Sequence, residues 1–369
     1  MNILLLGINF NNWGGIESYS DVLASILLKK GHKVVVTGMT DNGFFTLRSS
    51  GETLKIPRMK IKTSIDISAI LKIIKLTVRE NVNLIIAQQG KHYFPALLAA
   101  KICGVPVIFV RHQTRRLKSS TCWLINRWCH AVIAVSDAVK SSLITSGVSN
   151  GKIKVIHNCV PLNRFDPLKV DAYAMRKELG INPADVVVGA PGKLHRDKGV
   201  FELLYSIACL AKRYPFLKVL FVGGGPARNC LDAEAQRLFI QDKVVFAGVR
   251  TDMERVYAAM DICILPSRCV EGFGMVLIEA MAMKKPVIGS AIGGIKEIIT
   301  DSVNGLLVPP ADVGALSDAI ARYIEDRKFS EKMAIEGRRT VESRFSDETH
   351  VKSFENRLKE LKSGVRRHP

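Results

Sequence analysis

Short apolar runs alternate with helix-length segments along most of this chain. Each run is apolar at nearly every position, which is typical of parallel strands that are buried on both faces. Segments such as Ser18–Lys30 and Phe94–Cys103 separate the runs and are predicted to be helices. This order predicts βαβ units in a doubly wound α/β sheet. In the first half, strands are predicted at 2–8, 32–38, 82–88, 105–111 and 131–136.

The alternation stops at a proline-containing connector, residues 155–170, and then begins again. The 369 residues therefore predict two Rossmann-like domains, 1–165 and 166–345, with an interdomain cleft. Ligands of such sheets lie beyond the carboxyl ends of the strands. Residues 346–369 are predicted to form a helix that crosses back to the N-terminal domain and ends in a basic tail. The second set of strands is predicted at 186–192, 217–225, 243–249, 262–267, 286–290 and 305–310.

The cysteines and the start of the chain bear on where the protein works. The 8 cysteines are scattered without a Cys-x-x-Cys pair, which indicates reduced thiols and no disulfide framework. The first residues, "MNILLLGINFNN", carry no charged leader, and no run reaches the roughly 18 apolar residues of a membrane span. We therefore expect a cytoplasmic protein.

Positive charge is concentrated in the first half. Residues 1–165 hold 22 Lys and Arg against 7 Asp and Glu, out of 53 and 34 in the whole chain. Such a charge favours a polyanionic partner, which could be a membrane surface, a phosphorylated substrate or nucleic acid. A solvated basic surface without a partner is the alternative.

An acidic loop follows the predicted strand at 262–267. In "EGFGMVLIEAMA", Glu271 lies on the loop, Gly272-Phe273-Gly274 leads into a helix, and Glu279 lies about one turn inside it. Unpaired N–H groups at a helix N-terminus favour anions and sugar oxygens, and glycines allow a ligand to approach the backbone. Because helical side chains lean toward the N-terminus, the Glu279 carboxylate can face the same ligand. A vicinal diol such as a ribose would suit it.

These residues resemble a known family. "EGFGMVLIEAMA", followed by "KKPVIGSAIGGIKEIITDSVNGLLVPP", is similar to the signature of the retaining glycosyltransferases of family four, which have the GT-B fold. "NNWGGIESY" (11–19), "GKLHRDKG" (192–199) and "YAAMDICILPS" (257–267) extend the resemblance. It implies transfer of a sugar from a UDP- or GDP-sugar to a glycan or glycolipid, in lipopolysaccharide, O-antigen or capsule biosynthesis.

The resemblance implies roles for the second half of the chain. Glu279 would hold the ribose of the donor, and Glu271 with the backbone of Gly272, Phe273 and Gly274 would hold the transferred sugar. Lys193 and Lys198 would neutralise the diphosphate. The family usually has arginine where Lys193 stands, and lysine lacks the forked grip of a guanidinium. Arg196 is therefore a second candidate for that role.

The resemblance also implies roles in the first half. Gly14 and Gly15 would lie near the donor phosphates, although a plain tight turn is an equal interpretation of their spacing. His112 follows a predicted strand and would contact the sugar or the transition state, whereas a lone histidine is more often structural.

No Asp-x-Asp occurs, and no His, Cys and Asp residues stand at metal-ligand spacing, so we expect neither a metal nor another cofactor. The family resemblance implies retention through same-face attack, in which the leaving diphosphate accepts the proton. Catalysis would then consist mainly of positioning and charge stabilisation.

Two segments of the basic half suit an acceptor at a membrane. Residues 65–80 combine apolar residues with Lys72, Lys75 and Arg79, and residues 115–130 combine basic residues with Trp123 and Trp128. Such combinations favour anionic lipid surfaces, so we expect a peripheral membrane contact. A core helix flanked by solvated lysines explains the first segment equally well.

Other functions remain as alternatives. The fold could serve a sugar-nucleotide epimerase, a synthase of a soluble glycoside, or a non-catalytic basic module that binds membrane or nucleic acid. No RNA-binding signature or set of stacking aromatics is present, so a nucleic-acid partner is not expected.

Overall fold

The structure is a computed structural model, which describes residues 1–9, 14–39, 44–61, 63 and 65–365. The chain forms two compact units. We call Met1–Cys159 together with Asp347–Pro369 the N unit, and Val160–Ser346 the C unit.

The N unit is built on a six-stranded parallel sheet with a separate two-stranded antiparallel hairpin. Its strands are β1 (Asn2–Asn9), β2 (Lys33–Met39), β3 (Phe44–Thr46), β4 (Thr53–Lys55), β5 (Leu84–Ala87), β6 (Val107–Arg111), β7 (Ala131–Ala134) and β8 (Ile153–Val155). The order in the large sheet is β2-β1-β5-β6-β7-β8, and β3 and β4 form the hairpin. The strand order reverses between β1 and β5, which is where ligands of doubly wound sheets bind.

Helices cover this sheet, and their ends have recognisable causes. They are α1 (Gly15–Lys29), α2 (Ile67–Arg79), α3 (Gly90–Cys103), α4 (Ser119–Trp128) and α5 (Asp137–Thr145), together with the C-terminal helix Asp347–Val365. The Asp66 side chain caps α2 by accepting a hydrogen bond of 3.0 Å from Ala69 N. Gly104 ends α3 in the left-handed conformation, with φ of 67°.

The C unit repeats the plan with a second six-stranded parallel sheet. Its strands are β9 (Val186–Pro191), β10 (Leu217–Val222), β11 (Val244–Gly248), β12 (Ile262–Leu265), β13 (Val287–Ser290) and β14 (Leu306–Val308). Their order is β11-β10-β9-β12-β13-β14. The strand order reverses between β9 and β12, so the loops after these strands flank the expected ligand site.

Helices of the C unit pack their apolar faces on the sheet. Leu203, Leu204 and Ile207 of the helix Val200–Leu210 belong to the same buried core as Phe221 of β10. The helices are α6 (Ala172–Glu178), α7 (Val200–Leu210), α8 (Arg228–Arg237), α9 (Met253–Ala259), α10 (Met275–Ala282), α11 (Ile295–Ile298), α12 (Val313–Glu325) and α13 (Arg327–Arg344), and the C-terminal helix of the N unit is α14.

The two parallel sheets confirm the predicted fold class. All residues of β5, β6 and β7 are buried, as the continuous apolar runs indicate. The prediction did not include β8 or the hairpin of β3 and β4. These strands have three residues each, which is too short for a recognisable hydrophobic period.

A membrane-spanning helix is also absent from the described part of the chain. None of the described helices is both long and apolar enough to cross a bilayer.

Candidate active site

The predicted phosphate loop, residues 192–199, begins where β9 ends and leads into α7. It lies on a second glycine loop, residues 223–225, because Leu194 N donates a hydrogen bond of 3.0 Å to Gly224 O. A side chain on Gly225 would place its Cβ 2.3 Å from Leu194 O, and φ at this glycine is +158°. Two strand ends therefore present adjacent backbone loops. This second loop was not predicted from the sequence, although its three consecutive glycines were a usable signal.

The three basic residues of the phosphate loop differ in their surroundings. Lys193 is exposed and makes no ion pair with another described residue. Arg196 is also exposed, and its guanidinium carbon lies 4.8 Å from the centre of the Phe201 ring, a cation–π contact. Lys198 is half-buried and points back to the acidic loop. Lys193 is thus the most available of the three cations.

Lys198 and Glu271 form an ion pair in the C unit. Lys198 Nζ donates to Glu271 Oε1 at 2.6 Å, and the hydroxyl of Ser267 donates to the same oxygen. The carboxylate is 15% exposed and the lysine 36%. The structure thus brings two predicted site residues into contact across 73 positions of sequence. Ser267, which the prediction did not include, fixes the carboxylate from the end of β12.

The loop around Glu271 rests on the glycine pair Gly293-Gly294. Gly294 N donates a hydrogen bond of 3.0 Å to Glu271 O. A Cβ on Gly294 would lie 2.7 Å from Gly272 O, and Gly293 has φ of +54°. Gly274, the residue before α10, has φ of +128°. The conformation of the acidic loop therefore depends on glycines in both segments.

Phe273 contributes its backbone and not its ring to the surface of this loop. The side chain is 4% exposed, and its ring meets the edge of Phe345 with a centroid distance of 5.6 Å. The ring anchors the loop in the core, while Gly272 and Gly274 on either side are only half-buried.

Glu279 lies on α10 in a buried environment. Tyr257, from α9, donates a hydrogen bond of 2.7 Å to Glu279 Oε2. Burial raises the pKa of Glu279 to about 7, while the Tyr257 hydroxyl and the charge of Arg164 act in the opposite direction. The carboxyl group is therefore balanced between its two protonation states near neutral pH. Tyr257 is the first residue of the segment 257–267 that resembles the family, but it was not predicted as a site residue.

Arg164 connects the interdomain connector to the surroundings of Glu279. It pairs with Glu254 of α9 at 2.8 Å and donates a hydrogen bond of the same length to Thr251 O. These contacts hold the start of the helix that carries Tyr257. Arg164 therefore affects Glu279 both by its charge and by fixing the partner helix.

In the N unit, Gly14 is the N-cap of α1 and Gly15 is its first residue. Ser18 N donates a hydrogen bond of 2.9 Å to Gly14 O, which closes the first helical turn. A Cβ on Gly14 would lie 3.3 Å from a carboxylate oxygen of Glu17, which is buried. The preceding residues of the predicted glycine loop, 10–13, lie outside the described part of the chain.

His112 follows β6, at the carboxyl end of the strand. Its Nε2 atom lies 3.3 Å from the amide of Gln88, and its ring meets the edge of Tyr19 with a centroid distance of 4.8 Å. The residue as a whole is half-buried, yet the ring is enclosed enough for desolvation, with the charge of Arg111, to lower the pKa to about 3. His112 is therefore neutral at physiological pH.

Arg111 shapes the loop that starts with His112. The guanidinium is buried and donates to Gln113 O at 3.0 Å and to Arg115 O at 2.5 Å. A buried arginine that donates hydrogen bonds to backbone carbonyls fixes the path of the chain around it. The prediction did not include Arg111 or Gln88, although both are polar residues at the ends of apolar strands.

The C unit therefore combines an acidic loop, a buried carboxyl group and basic residues at one edge of a parallel sheet. Carboxylates suit hydroxyl groups, and lysines with open backbone N–H groups suit phosphates. A ligand with both kinds of group, such as a sugar nucleotide, matches this chemistry.

Comparisons with known proteins agree with this interpretation. The family description "Glycosyl transferases group 1" matches residues 171–340, and "Glycosyltransferase Family 4" matches residues 13–164. The chain is similar to the capsular polysaccharide biosynthesis glycosyltransferase CapM of Staphylococcus aureus, with 30% identity over 59% of this chain and 58% of CapM. It is 26% identical to the N-acetyl-alpha-D-glucosaminyl L-malate synthase of Bacillus anthracis, over 79% of this chain and 78% of the synthase.

Among solved structures, HepE of Anabaena in complex with UDP-glucose has a TM-score of 0.84 at 25% identity, over 98% of this chain and 100% of HepE. Two α/β units, each built on a parallel sheet, define the GT-B class of glycosyltransferases. The two matched segments together cover most of the sequence. The chain belongs to glycosyltransferase family four.

Proposed function

We propose that the protein is a retaining glycosyltransferase that moves a sugar from a nucleotide-sugar to a glycan or glycolipid acceptor. The observation that carries this proposal is the contact of Lys198 with Glu271 at the acidic loop, on the same sheet edge as the buried Glu279. The capsule assignment of CapM favours a role in capsule, O-antigen or lipopolysaccharide synthesis.

Glu279 would bind the ribose of the donor. An ionised carboxylate accepts two hydrogen bonds from a vicinal diol, and Tyr257 holds one of its oxygens in place. Donor hydroxyls would replace the solvation that burial removes from this carboxylate. Among UDP- and GDP-sugars, the complex of HepE with UDP-glucose favours a uridine donor.

The diphosphate would bind at the phosphate loop. Lys193 has the exposure and the free charge for a direct phosphate contact, while Lys198 is held near the transferred sugar by Glu271. Arg196 is engaged with Phe201 and would have to leave that ring to take the role of the family's arginine.

The mechanism would depend on placement and charge. Glu271, already bound to Lys198 and Ser267, accepts sugar hydroxyls and is not a nucleophile. Loss of the diphosphate leaves an oxocarbenium-like centre, and the acceptor hydroxyl attacks from the same face while a phosphate oxygen takes its proton. Cations and backbone N–H groups stabilise the departing charge, so that no metal ion is required. By the family resemblance, His112 is a candidate for contact with the sugar.

The acceptor would meet the N unit at an anionic membrane. The outward face of α2 carries Ile67, Leu71 and Val78 at 69%, 61% and 67% exposure. They recur at helical spacing beside a parallel row of exposed Lys72, Lys75 and Arg79. An apolar row next to a basic row is the pattern of a helix that lies in a membrane interface.

A basic depression borders the same helix. It has a volume of about 450 Å³, and Arg58, Lys60 and Lys72 line it together with Met39, Asp66 and Ser68. Its charge suits the phosphate of a lipid-linked acceptor or of a lipid headgroup. Phe44, which is half exposed on the β3–β4 hairpin, adds to the exposed apolar surface of the N unit.

A soluble acceptor is the second candidate. The similarity to a synthase whose name contains L-malate favours it, because malate is a small anion that basic residues could bind without a membrane. Assays with a lipid-linked acceptor and with small anionic acceptors distinguish the two.

The donor proposal is tested by thermal unfolding with UDP-, GDP- and ADP-sugars, in magnesium and in chelator. Stabilisation by one nucleotide class in chelator supports a metal-independent donor site, and stabilisation only with magnesium contradicts it. The anomeric coupling constant of the product, measured by NMR at early time, tests retention. Epimerised nucleotide-sugar without any acceptor would instead identify an epimerase.

A further inference from the structure

Gln88 lies directly after β5 and connects α1 to His112. One end of its buried amide is 3.0 Å from Ser20 Oγ and 3.3 Å from His112 Nε2. The other end is also buried, and no described residue forms a hydrogen bond with it. All the protons of this cluster can therefore be counted.

Ser20 has a single hydroxyl proton, and its closest acceptor is Ile16 O at 2.6 Å. With this proton donated along the helix, the serine oxygen can only accept from Gln88. If Gln88 Oε1 faced Ser20 and His112, both protons of the amide nitrogen would be buried without partners. A half-turn of the amide exchanges its oxygen and nitrogen without moving any other atom.

The turned amide satisfies the cluster. The amide nitrogen then donates one proton to Ser20 Oγ and the other to His112 Nε2. The group left without a partner is a carbonyl oxygen, and unpaired buried carbonyls are less rare in proteins than unpaired N–H groups. A histidine nitrogen that accepts a hydrogen bond carries no proton, so the proton of the neutral ring must be on Nδ1.

We propose that Gln88 is a positioning residue that holds His112 in the tautomer with the proton on Nδ1. The edge of Tyr19 packs against the His112 ring and opposes its rotation. Within the described residues, Nδ1 makes no hydrogen bond and is left for a ligand.

The tautomer determines what His112 can do. The ring presents an N–H donor and no lone pair, so it binds a sugar or phosphate oxygen and does not act as a general base. This consequence rests on the proposed function, whereas the tautomer itself is a property of the free protein. It agrees with a mechanism in which the leaving phosphate takes the acceptor proton.

The first test is NMR of the full chain labelled with ¹⁵N-histidine, without ligand, with the His112 signals assigned by comparison with His112→Gln. We expect a protonated Nδ1 and an unprotonated Nε2 between pH 6 and 8. A proton on Nε2 would overturn the proposal. This measurement needs neither a variant of Gln88 nor any transferase activity, so a failure of the proposed function leaves its result unaffected.

The second test uses Gln88→Glu with Gln89→Glu as the matched control. A carboxylate only accepts, so Gln88→Glu should transfer the proton to Nε2 and lower kcat about 10- to 100-fold, with the donor KM changed less than threefold. Gln89 is the neighbouring residue, and its side chain makes no cap hydrogen bond to α3, so its variant should keep the tautomer and kcat. A changed tautomer with unchanged kcat would overturn the positioning role.

Discussion

Tyr257 donates a hydrogen bond of 2.7 Å to Glu279, and both side chains are buried. The pair joins α9 to α10 and holds the carboxyl group that we assign to the donor ribose. Burial raises the pKa of both groups, since each loses hydration in its charged form. This cluster is therefore where stability, pH and donor binding are coupled.

Stability should fall as pH rises through the titration of Glu279. Burial raises the pKa of this group from an ordinary value of 4.5 to about 7. Between these values the folded state binds more protons than the unfolded state, so each step up in pH favours unfolding, by on the order of 3 kcal/mol in total. Urea unfolding at pH 5 to 8, compared with Glu279→Gln, measures the difference. Parallel stability curves for the two proteins would contradict it.

Removing the Tyr257 hydroxyl should weaken both the fold and donor binding. Tyr257→Phe leaves the buried Glu279 carboxyl group without its partner, so we expect a loss of about 1–3 kcal/mol in unfolding free energy. The hydroxyl also lowers the pKa of Glu279, so its removal should raise this pKa. The pH at which the carboxylate is ionised and binds the donor should then rise as well. Calorimetric titration of donor against pH tests this.

The matched control is Tyr323→Phe. Tyr323 is also buried in the C unit, where its hydroxyl donates to Val287 O at 3.1 Å. This variant should lose stability while the pH dependence of donor binding stays unchanged. Equal effects of both variants on donor binding would argue against a specific role for Tyr257.

Substitutions in the phosphate loop should distinguish the roles of its three basic residues. Lys193→Ala and Lys198→Ala should each lower kcat by about 100-fold. Each substitution removes a positive charge that would stabilise the leaving diphosphate or contact the transferred sugar. Arg196→Ala should have a smaller effect, since its guanidinium packs on Phe201. Steady-state kinetics with the exposed Lys212→Ala as control measures these changes. A larger loss from Arg196→Ala than from Lys193→Ala would make Arg196 the phosphate ligand.

Gly294→Ala should disturb the acidic loop. The added Cβ would lie 2.7 Å from Gly272 O and from Phe273 Cα, so backbone atoms must move. We expect a loss of about 1–3 kcal/mol in stability together with weaker donor binding. Gly314→Ala in α12 is the control, because its Cβ would meet Asp312 only at 3.4 Å. Unchanged donor affinity in a folded Gly294→Ala protein would contradict the role of the glycine pair.

Charge reversal on α2 should release the protein from membranes. Wild-type protein should sediment with vesicles that contain phosphatidylglycerol and should remain in solution with phosphatidylcholine alone. Lys72→Glu with Lys75→Glu should reduce binding at least tenfold, since each basic residue near an anionic surface contributes about 1 kcal/mol. The exposed pair Lys328→Glu with Lys332→Glu in α13 serves as control. Equal loss from both pairs would indicate a non-specific charge effect.

The sequence predicts the scaffold because local patterns determine it. Buried parallel strands such as β5 and β7 are apolar throughout, and that pattern is visible without knowing their neighbours. The acidic loop is equally local, since Glu271 and Glu279 lie on one continuous segment. The strand order and the partners of each side chain depend on tertiary packing, so they are harder to predict from the sequence.

The missed site residues illustrate that limit. Tyr257 meets Glu279 only because α9 packs beside α10, and Ser267 reaches Glu271 because the chain turns back after β12. Gln88 and His112 follow adjacent strands, so their contact could have been inferred from the strand order once it was known. The burial of Phe273 depends on Phe345, which lies 72 positions away in sequence.

A crystal structure with an intact UDP-sugar or an unreactive analogue tests the central claim most directly. We predict that the ribose hydroxyls lie within 3.2 Å of the Glu279 carboxylate, about the upper limit of a hydrogen bond. The transferred sugar should contact Glu271 and the backbone of residues 272–274, and a lysine of the phosphate loop should contact the diphosphate. A donor bound away from residues 271–279 would contradict this account of the site.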